Sequence, residues 1–247
     1  MFIATSRTRI LVDAGLSCRE TFQRLVNIGE DPDRLDAIVL THEHSDHVTG
    51  LGPIVRKLKA RRQLDIPVYV SRLTASSLDC EGYIPRFETF QAGTRFTIGD
   101  IEVSSFTIPH DAIDPVGFCF YAEGVKIGVA TDLGYLPESI CHHLKHTDFL
   151  LLESNHDLDM LKVGPYPWPV KQRVMSRRGH LCNDVVCAFI RDQLDSSTAT
   201  LVLGHLSEHN NHPEIVRLTA SQAIEGRRLR TRLVVAEPGK QSEVFAF

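Results

Sequence analysis

No run of apolar residues in this chain approaches the roughly 18–20 positions a bilayer-spanning helix needs, which argues against a membrane role. The N-terminus lacks a basic stretch followed by an apolar one, so no export signal is expected. The six cysteines (Cys18, Cys80, Cys119, Cys141, Cys182 and Cys187) form no C-x-x-C pair. Most sit in apolar surroundings, which points to reduced core thiols and a cytoplasmic location. Low-complexity segments, linkers and short-period repeats are also missing. An excess of positive charge is absent as well. The net charge of −4 does not advertise a nucleic-acid binder, although local rather than total charge decides phosphate contact. What remains is an ordinary soluble composition, 43% hydrophobic and 23% charged over 247 residues, enough for a sizeable core.

Short apolar strand candidates alternate with helical stretches. Arg9–Val12 reads as a buried strand ending at Asp13-Ala14-Gly15, and Ser17 as the N-cap of a helix to about Ile28, with Glu20 at the capping-box position. Asp36–Leu40 is a strand and Leu51–Lys59 a helix, followed by a short strand at Val68–Val70. Hairpins are expected at Thr94–Ile98 with Ile101–Ile108, and at Gly117–Ala122 with Lys126–Ala130. Phe149–Leu152 and Thr200–Leu203 are wholly apolar strands, while Arg232–Ala236 and Glu243–Phe247 close the chain. Helices are expected at Pro137–Lys145, Asn183–Leu194 and Pro213–Glu225. Hairpins first and strand–helix alternation later suit two sheets packed face to face with helices outside. Gly164-Pro165-Tyr166-Pro167-Trp168-Pro169 reads as a stiff loop whose aromatics can stack on bases.

The most informative segment is Thr41-His42-Glu43-His44-Ser45-Asp46-His47, directly after the apolar run Asp36–Leu40. His42 and His44 are two apart, so an extended backbone projects both to one side. Asp46 and His47 lie where the chain turns toward the next helix and can face a second ion. Imidazole and carboxylate together suit zinc, with manganese or iron as alternatives. A His-rich solvated loop is the competing reading. Three further candidates follow apolar strands: His110, Asp132 and His205. Any one alone reads as a turn or cap residue, but three in chain order after the His cluster read as ligands.

His-x-His-x-Asp-His followed by His110, Asp132 and His205 resembles the ligand set of the metallo-β-lactamase fold superfamily, and the resemblance runs over essentially the whole chain. It implies an α/β fold, the four-layer αβ/βα sandwich, as a single hydrolase domain over residues 1–247. It also implies two divalent metal ions. One ion would take His42, His44 and His110, the other Asp46, His47 and His205, with Asp132 bridging. Asp13 matches a carboxylate that braces the His loop. A bridging Asp132 suits ions about 3.5–4 Å apart around a shared hydroxide, a geometry for in-line attack on a phosphodiester. In the RNase Z type of nuclease a Glu and a His stand at the places of Glu153 and His180. There the His protonates the leaving oxygen or meets the phosphate, and the Glu orients it. The implied catalytic set is therefore Asp46, Asp132, Glu153 and His180.

Glu-Ser-Asn-His-Asp at 153–157, the Tyr166 loop with Lys171, Gly179-His180-Leu181, and Gly204 to Asn211 are similar to the YycJ-like branch, regarded as 5′→3′ DNA exonucleases or general phosphodiesterases. The stretch from Asp132 to His205 is too short for the β-CASP insertion of RNase J-type enzymes. There is no long arm of the RNase Z kind. Two features depart from the branch. It usually begins with a further strand and a Gly-Ser-rich turn, so this chain is expected to lack the usual first N-terminal strand. Cys182 stands where the branch usually has serine, and reads as a small buried residue.

The partner implied is a nucleic acid, DNA first. Candidate substrate contacts are Asn155, His156, Tyr166, Trp168, Lys171, Arg173, Asn183, Ser207 and Asn210. Lys171, Arg173, Arg177 and Arg178 form a basic cluster beside His180. Two other clusters, around Arg56–Arg62 and Arg227–Arg232, read as solvated faces. His142, His143 and His146 read as a solvated helix face, and His209 and His212 as rim residues. The rival enzymatic readings are an RNase Z-like ribonuclease and a small-molecule hydrolase acting on a thioester, ester or lactam. The non-catalytic rival is a metal-binding or nucleic-acid-docking relic.

Overall fold

Apolar strands followed by polar turns dictate the architecture, because each strand must pair and bury its side chains while its end stays wet. The computed structural model describes residues 1–78 and 85–247, so Cys80 lies outside the described residues. Met1–Thr107 with Ala112–Val116 forms one compact unit, and Ile108–Asp111 with Gly117–Phe247 a second.

In the first unit, β1 (Phe2–Ala4), β2 (Arg9–Val12), β3 (Ala37–Val39), β4 (Pro67–Ser71) and β5 (Arg86–Phe90) form a five-stranded sheet in that order. β1 is antiparallel to β2 and the remaining pairs are parallel. The parallel pairs need crossovers, and helices supply the first two: α1 (Cys18–Asn27) between β2 and β3, and α2 (Ser45–Val48) with α3 (Leu51–Arg62) between β3 and β4. Ser17 caps α1, accepting the N–H of Glu20 at 3.2 Å. Ile54, Val55 and Leu58 recur at helical spacing in α3, and they join Phe22 and Leu25 of α1 in one buried cluster with Leu11, Ile38 and Val68. α4 (Arg72–Ala75) and the hairpin β6 (Arg95–Ile98) with β7 (Ile101–Thr107) complete the unit.

In the second unit, β8 (Val116–Ala122, its first residue in the other unit), β9 (Val125–Ala130), β10 (Phe149–Glu153), β11 (Thr200–Gly204) and β12 (Arg232–Val235) pair consecutively. The first pair is antiparallel and the rest parallel. The helices are α5 (Glu138–His143), α6 (Leu158–Val163), α7 (Trp168–Val174), α8 (Asn183–Asp192) and α9 (Pro213–Gly226). α8 and α9 lie side by side, burying Val186 and Ile190 of one and Val216 and Ala220 of the other.

Several segments depart from the sequence reading, the strand Arg86–Phe90 and the helix Leu158–Val163 among them. The chain carries a strand at Phe2–Ala4, before the first one expected. Glu243–Phe247 is not a strand. Its anchors are side chains: Arg232 holds Glu243 at 2.7 and 2.8 Å, and the rings of Phe245 and Phe247 pack at 5.0 and 6.0 Å on Phe149. The expected stiff loop ends early, because α7 starts at Trp168. Pro169 sits in its first turn, where a missing N–H leaves no intrahelical bond unmade.

Candidate metal centre

In the first unit the register places Val12 beside Val39, so β2 and β3 end side by side and deliver Asp13 next to Thr41. Asp13 turns into the left-handed region (φ 59) and aims its carboxylate at the next strand end. One oxygen accepts the Thr41 N–H at 2.8 Å, and the other faces the His47 Nδ1 at 2.9 Å. The Thr41 hydroxyl completes the cradle, 3.0 Å from Asp13, 3.0 Å from His42 Nδ1 and 3.2 Å from His47 Nδ1. Burial opposes the charge on Asp13, but His47 and the Thr41 N–H outweigh it and hold the carboxyl below its usual range. His42 is fully buried, and its ring lies 4.6 Å from that of His44 and 4.1 Å from that of His47. Asp46 is exposed, with its carboxylate 3.5 Å from His47 Nε2.

Beneath the His loop the backbones touch. A Cβ on Gly15 would fall 1.5 Å from the Asp46 carbonyl oxygen, so only glycine fits. Ala14 donates to the His47 carbonyl at 2.7 Å and accepts from Gly50 at 2.7 Å, which clamps the loop at the C-terminal end of α2. Glu43, between the two leading histidines, accepts the Ile113 N–H at 2.9 Å.

In the second unit, β9, β10 and β11 are parallel neighbours, and Asp132, Glu153 and His205 lie at or just past their C-terminal ends. Ligand atoms of Asp132, Glu153, His180 and His205 all lie within 4.8 Å of one another, a His/carboxylate cluster able to hold a metal ion. Glu153 has no solvent exposure. One of its oxygens faces His180 Nδ1 at 2.6 Å and His205 Nδ1 at 3.0 Å; the other accepts the N–H groups of Leu133 at 2.8 Å and Leu181 at 3.2 Å. Burial would raise the Glu153 pKa, but His180 and the hydrogen bonds from both imidazoles lower it. Burial would lower that of His180, and the Glu153 charge and hydrogen bond raise it overall. The pair therefore favours a carboxylate beside an imidazolium. His110 keeps Nδ1 3.2 Å from the Gly179 carbonyl, and burial depresses its pKa, favouring the neutral ring a metal requires. Asp132 and His205 share the left-handed conformation of Asp13 (φ 63 and 57), a backbone state that clusters at functional sites in residues with a Cβ.

The expected substrate contacts divide. Trp168 is 59% exposed, and Tyr166 meets the His209 ring edge-on at 6.0 Å. Four others stand inside. The buried Lys171 ammonium donates to the Lys162 carbonyl at 2.7 Å, tying α7 to α6. Asn183 is buried in a network with Ser154 and Asn211. Asn210 is buried beside Ser207, 3.3 Å from its hydroxyl. His156 is 1% exposed, and burial pushes its pKa down to about 4. All four are thus buried, with Lys171 bonded to a backbone carbonyl and Asn183 and Asn210 to neighbouring side chains, where the sequence suggests exposed contacts. Arg173 pairs with Asp111, and Asn155 donates to the His205 carbonyl at 3.0 Å. Thr41 and the Gly179 carbonyl were missed as anchors of the ligand rings. The position of Thr41 directly before His42 was the available signal.

Residues 8–205 match the model of a beta-lactamase superfamily domain. Exodeoxyribonuclease YycJ of Bacillus anthracis is 36% identical over 228 residues, covering 91% of this chain and 84% of the relative. The chain belongs to the metallo-β-lactamase superfamily, in its YycJ-like branch. Exodeoxyribonuclease WalJ of Streptococcus pneumoniae is 34% identical, over 88% of this chain and 81% of its own length. Among solved structures, the metallo-beta-lactamase fold protein YhfI from Bacillus subtilis superposes with a TM-score of 0.71 at 17% identity, covering 97% of this chain and 89% of that one. The fold class is thus the superfamily's α/β sandwich, and the chain is a hydrolase.

Proposed function

We propose that this chain is a dinuclear metal-dependent phosphodiesterase, a DNA exonuclease acting in the 5′→3′ direction. The observation that carries the reading is the pairing of buried Glu153 with His180 at 2.6 Å, with His180 Nδ1 3.9 Å from Asp132, in a chain whose relatives over about nine-tenths of its length are named exodeoxyribonucleases.

The donor set fits metal. The Nδ1 atoms of His42, His47, His110 and His205 are each held by Thr41, Asp13, the Gly179 carbonyl or Glu153, which fixes the tautomer and presents Nε2 as the ligand atom. In this reading His42, His44, Asp46, His47, His110, Asp132 and His205 would hold the ions. Zinc suits these donors best, with manganese and iron as competitors. Such ions, when bound, supply Lewis-acid activation of water and of the phosphoryl oxygen.

The remaining work falls to the chain. His180 holds a proton at Nε2 and gives it to the oxygen that leaves when the phosphodiester breaks; the Glu153 carboxylate keeps the ring oriented and charged. Trp168 and Tyr166 offer aromatic faces to bases, with Ser207 at the rim. Cys18, Cys119, Cys141, Cys182 and Cys187 form no disulfide among the described residues, which suits a reducing cytoplasm.

Metal-reconstituted protein presented with end-labelled single- and double-stranded DNA and RNA tests the reading. It should contain about two metal equivalents and release mononucleotides from the 5′ end of DNA. Hydrolysis confined to RNA, to 3′ ends or to small esters, or a protein that binds no metal, overturns it.

A further inference from the structure

Of the four cations beside His180, two are already engaged: Lys171 with the Lys162 carbonyl and Arg173 with Asp111. Arg177 is different. It is exposed, no carboxylate pairs with it among the described residues, and its guanidinium lies over the half-buried Tyr135 ring, 4.1 Å from the centroid. Tyr135 follows Asp132 by three residues and Arg177 precedes His180 by three. The two turns lie back to back, because a Cβ on Gly134 would fall 2.2 Å from the Arg177 carbonyl carbon and 2.5 Å from the Arg178 nitrogen. Bonds from His180 N–H to the Val174 carbonyl (2.9 Å) and from Gly134 N–H to the Pro109 carbonyl (2.9 Å) fasten both turns to the site.

We propose that Arg177, held over the Tyr135 ring, is a phosphate-binding subsite for the nucleic-acid strand, taking a phosphodiester adjacent to the one that is cut. The inference rests on the nuclease reading above. The ring contact holds the guanidinium in place while leaving N–H donors unpaired by any carboxylate among the described residues, and a guanidinium's fork matches two phosphate oxygens. The aromatic face also attracts the cation, so little side-chain freedom is left to lose on binding. The contact reads backbone, not sequence, as an exonuclease requires.

Metal-loaded wild type, Arg177→Ala, Arg177→Lys and Tyr135→Leu should be compared on 5′-labelled single-stranded oligodeoxynucleotides, with kcat and KM measured across a salt series. Arg177→Ala should raise KM roughly tenfold, the loss of one charge-assisted hydrogen-bonding group, with a smaller change in kcat. It should also flatten the slope of log(kcat/KM) against log salt by about 0.7, one phosphate contact on a single strand. Arg177→Lys should restore the slope but not the KM, and Tyr135→Leu should raise KM with the slope intact. A purely structural Arg177 would shift the thermal midpoint and leave the salt slope alone. Wild-type KM and slope in Arg177→Ala, with wild type degrading DNA, overturn this subsite only. A wild type inert on all nucleic acids overturns the nuclease reading with it.

Discussion

Glu153 receives hydrogen bonds from two imidazoles and two backbone N–H groups while excluded from solvent, and such a carboxylate is costly unless every lone pair is used. Its partners show what the arrangement secures. The Leu133 N–H fixes the backbone just past Asp132, the Leu181 N–H does the same past His180, and the two rings belong to His180 and His205. One side chain thereby positions a metal-ligand candidate, a proton donor and a carboxylate held at positive φ. Glu153→Gln should therefore weaken metal binding about 10–100-fold as well as slow turnover, because its amide nitrogen must face either the two imidazoles or the two backbone N–H groups and cannot accept from them. His180→Ala should keep its metal content and lose about 10²–10⁴ in rate. Metal titration of both variants, followed by rate measurements at saturating metal, checks the contrast. Equal metal affinity in wild type and Glu153→Gln would reduce Glu153 to a partner of His180 alone.

The elements matter mainly through their ends. Parallel pairing of β9, β10 and β11 brings Asp132, Glu153 and His205 to one edge of the second unit, and parallel pairing of β2 and β3 does the same for Asp13 and Thr41 in the first. The loop through α2 carries four candidate ligands and rests on the turn after β2 at van der Waals limits. Gly15→Ala should therefore cost about 1–3 kcal/mol of stability or more, because its methyl group meets backbone that cannot swing aside. It should also impair metal uptake through the displaced His loop. A urea denaturation series and metal titration on the purified variant measure both effects. A variant as stable as wild type with full metal uptake would mean the loop is more pliant than its hydrogen bonds indicate.

For the molecule as a whole, both units bury apolar side chains, and the polar groups of interest stand at or beside strand ends. Metal that binds the native chain but not the unfolded one adds stability by mass action, about 2.7 kcal/mol at a free concentration one hundred times the dissociation constant. For a chain of this size that is a midpoint change of roughly 5–10 °C. Chelation should lower the thermal midpoint by about this much, and added zinc should restore it. Calorimetry showing no change on chelation of metal-loaded protein would argue that the clustered histidines hold nothing. On the nuclease reading, a net charge of −4 leaves any salt-dependent grip on nucleic acid to local cations such as Arg177.

Much was legible from residue order alone. Apolar runs ending in polar turns marked most longer strands, and caps with helical apolar spacing marked most longer helices, because a buried element must be apolar where it packs whatever the topology. The run from His42 to His47 marked itself by composition, and His110, Asp132 and His205 by following apolar strands. The misses share one cause. Phe2–Ala4 and Arg86–Phe90 are strands because a neighbour offers them a ladder, and Glu243–Phe247 lacks one because side-chain anchors hold it instead. Lys171, His156, Asn183 and Asn210 looked like surface chemistry in one dimension. Only the packing of α6, α7 and α8 with the segment after β11 decided that they are buried, since a polar side chain's role depends on which backbone groups surround it. The same holds for Arg177. Sequence made it one cation among four, and the folded turn that lays it on Tyr135 is what sets it apart.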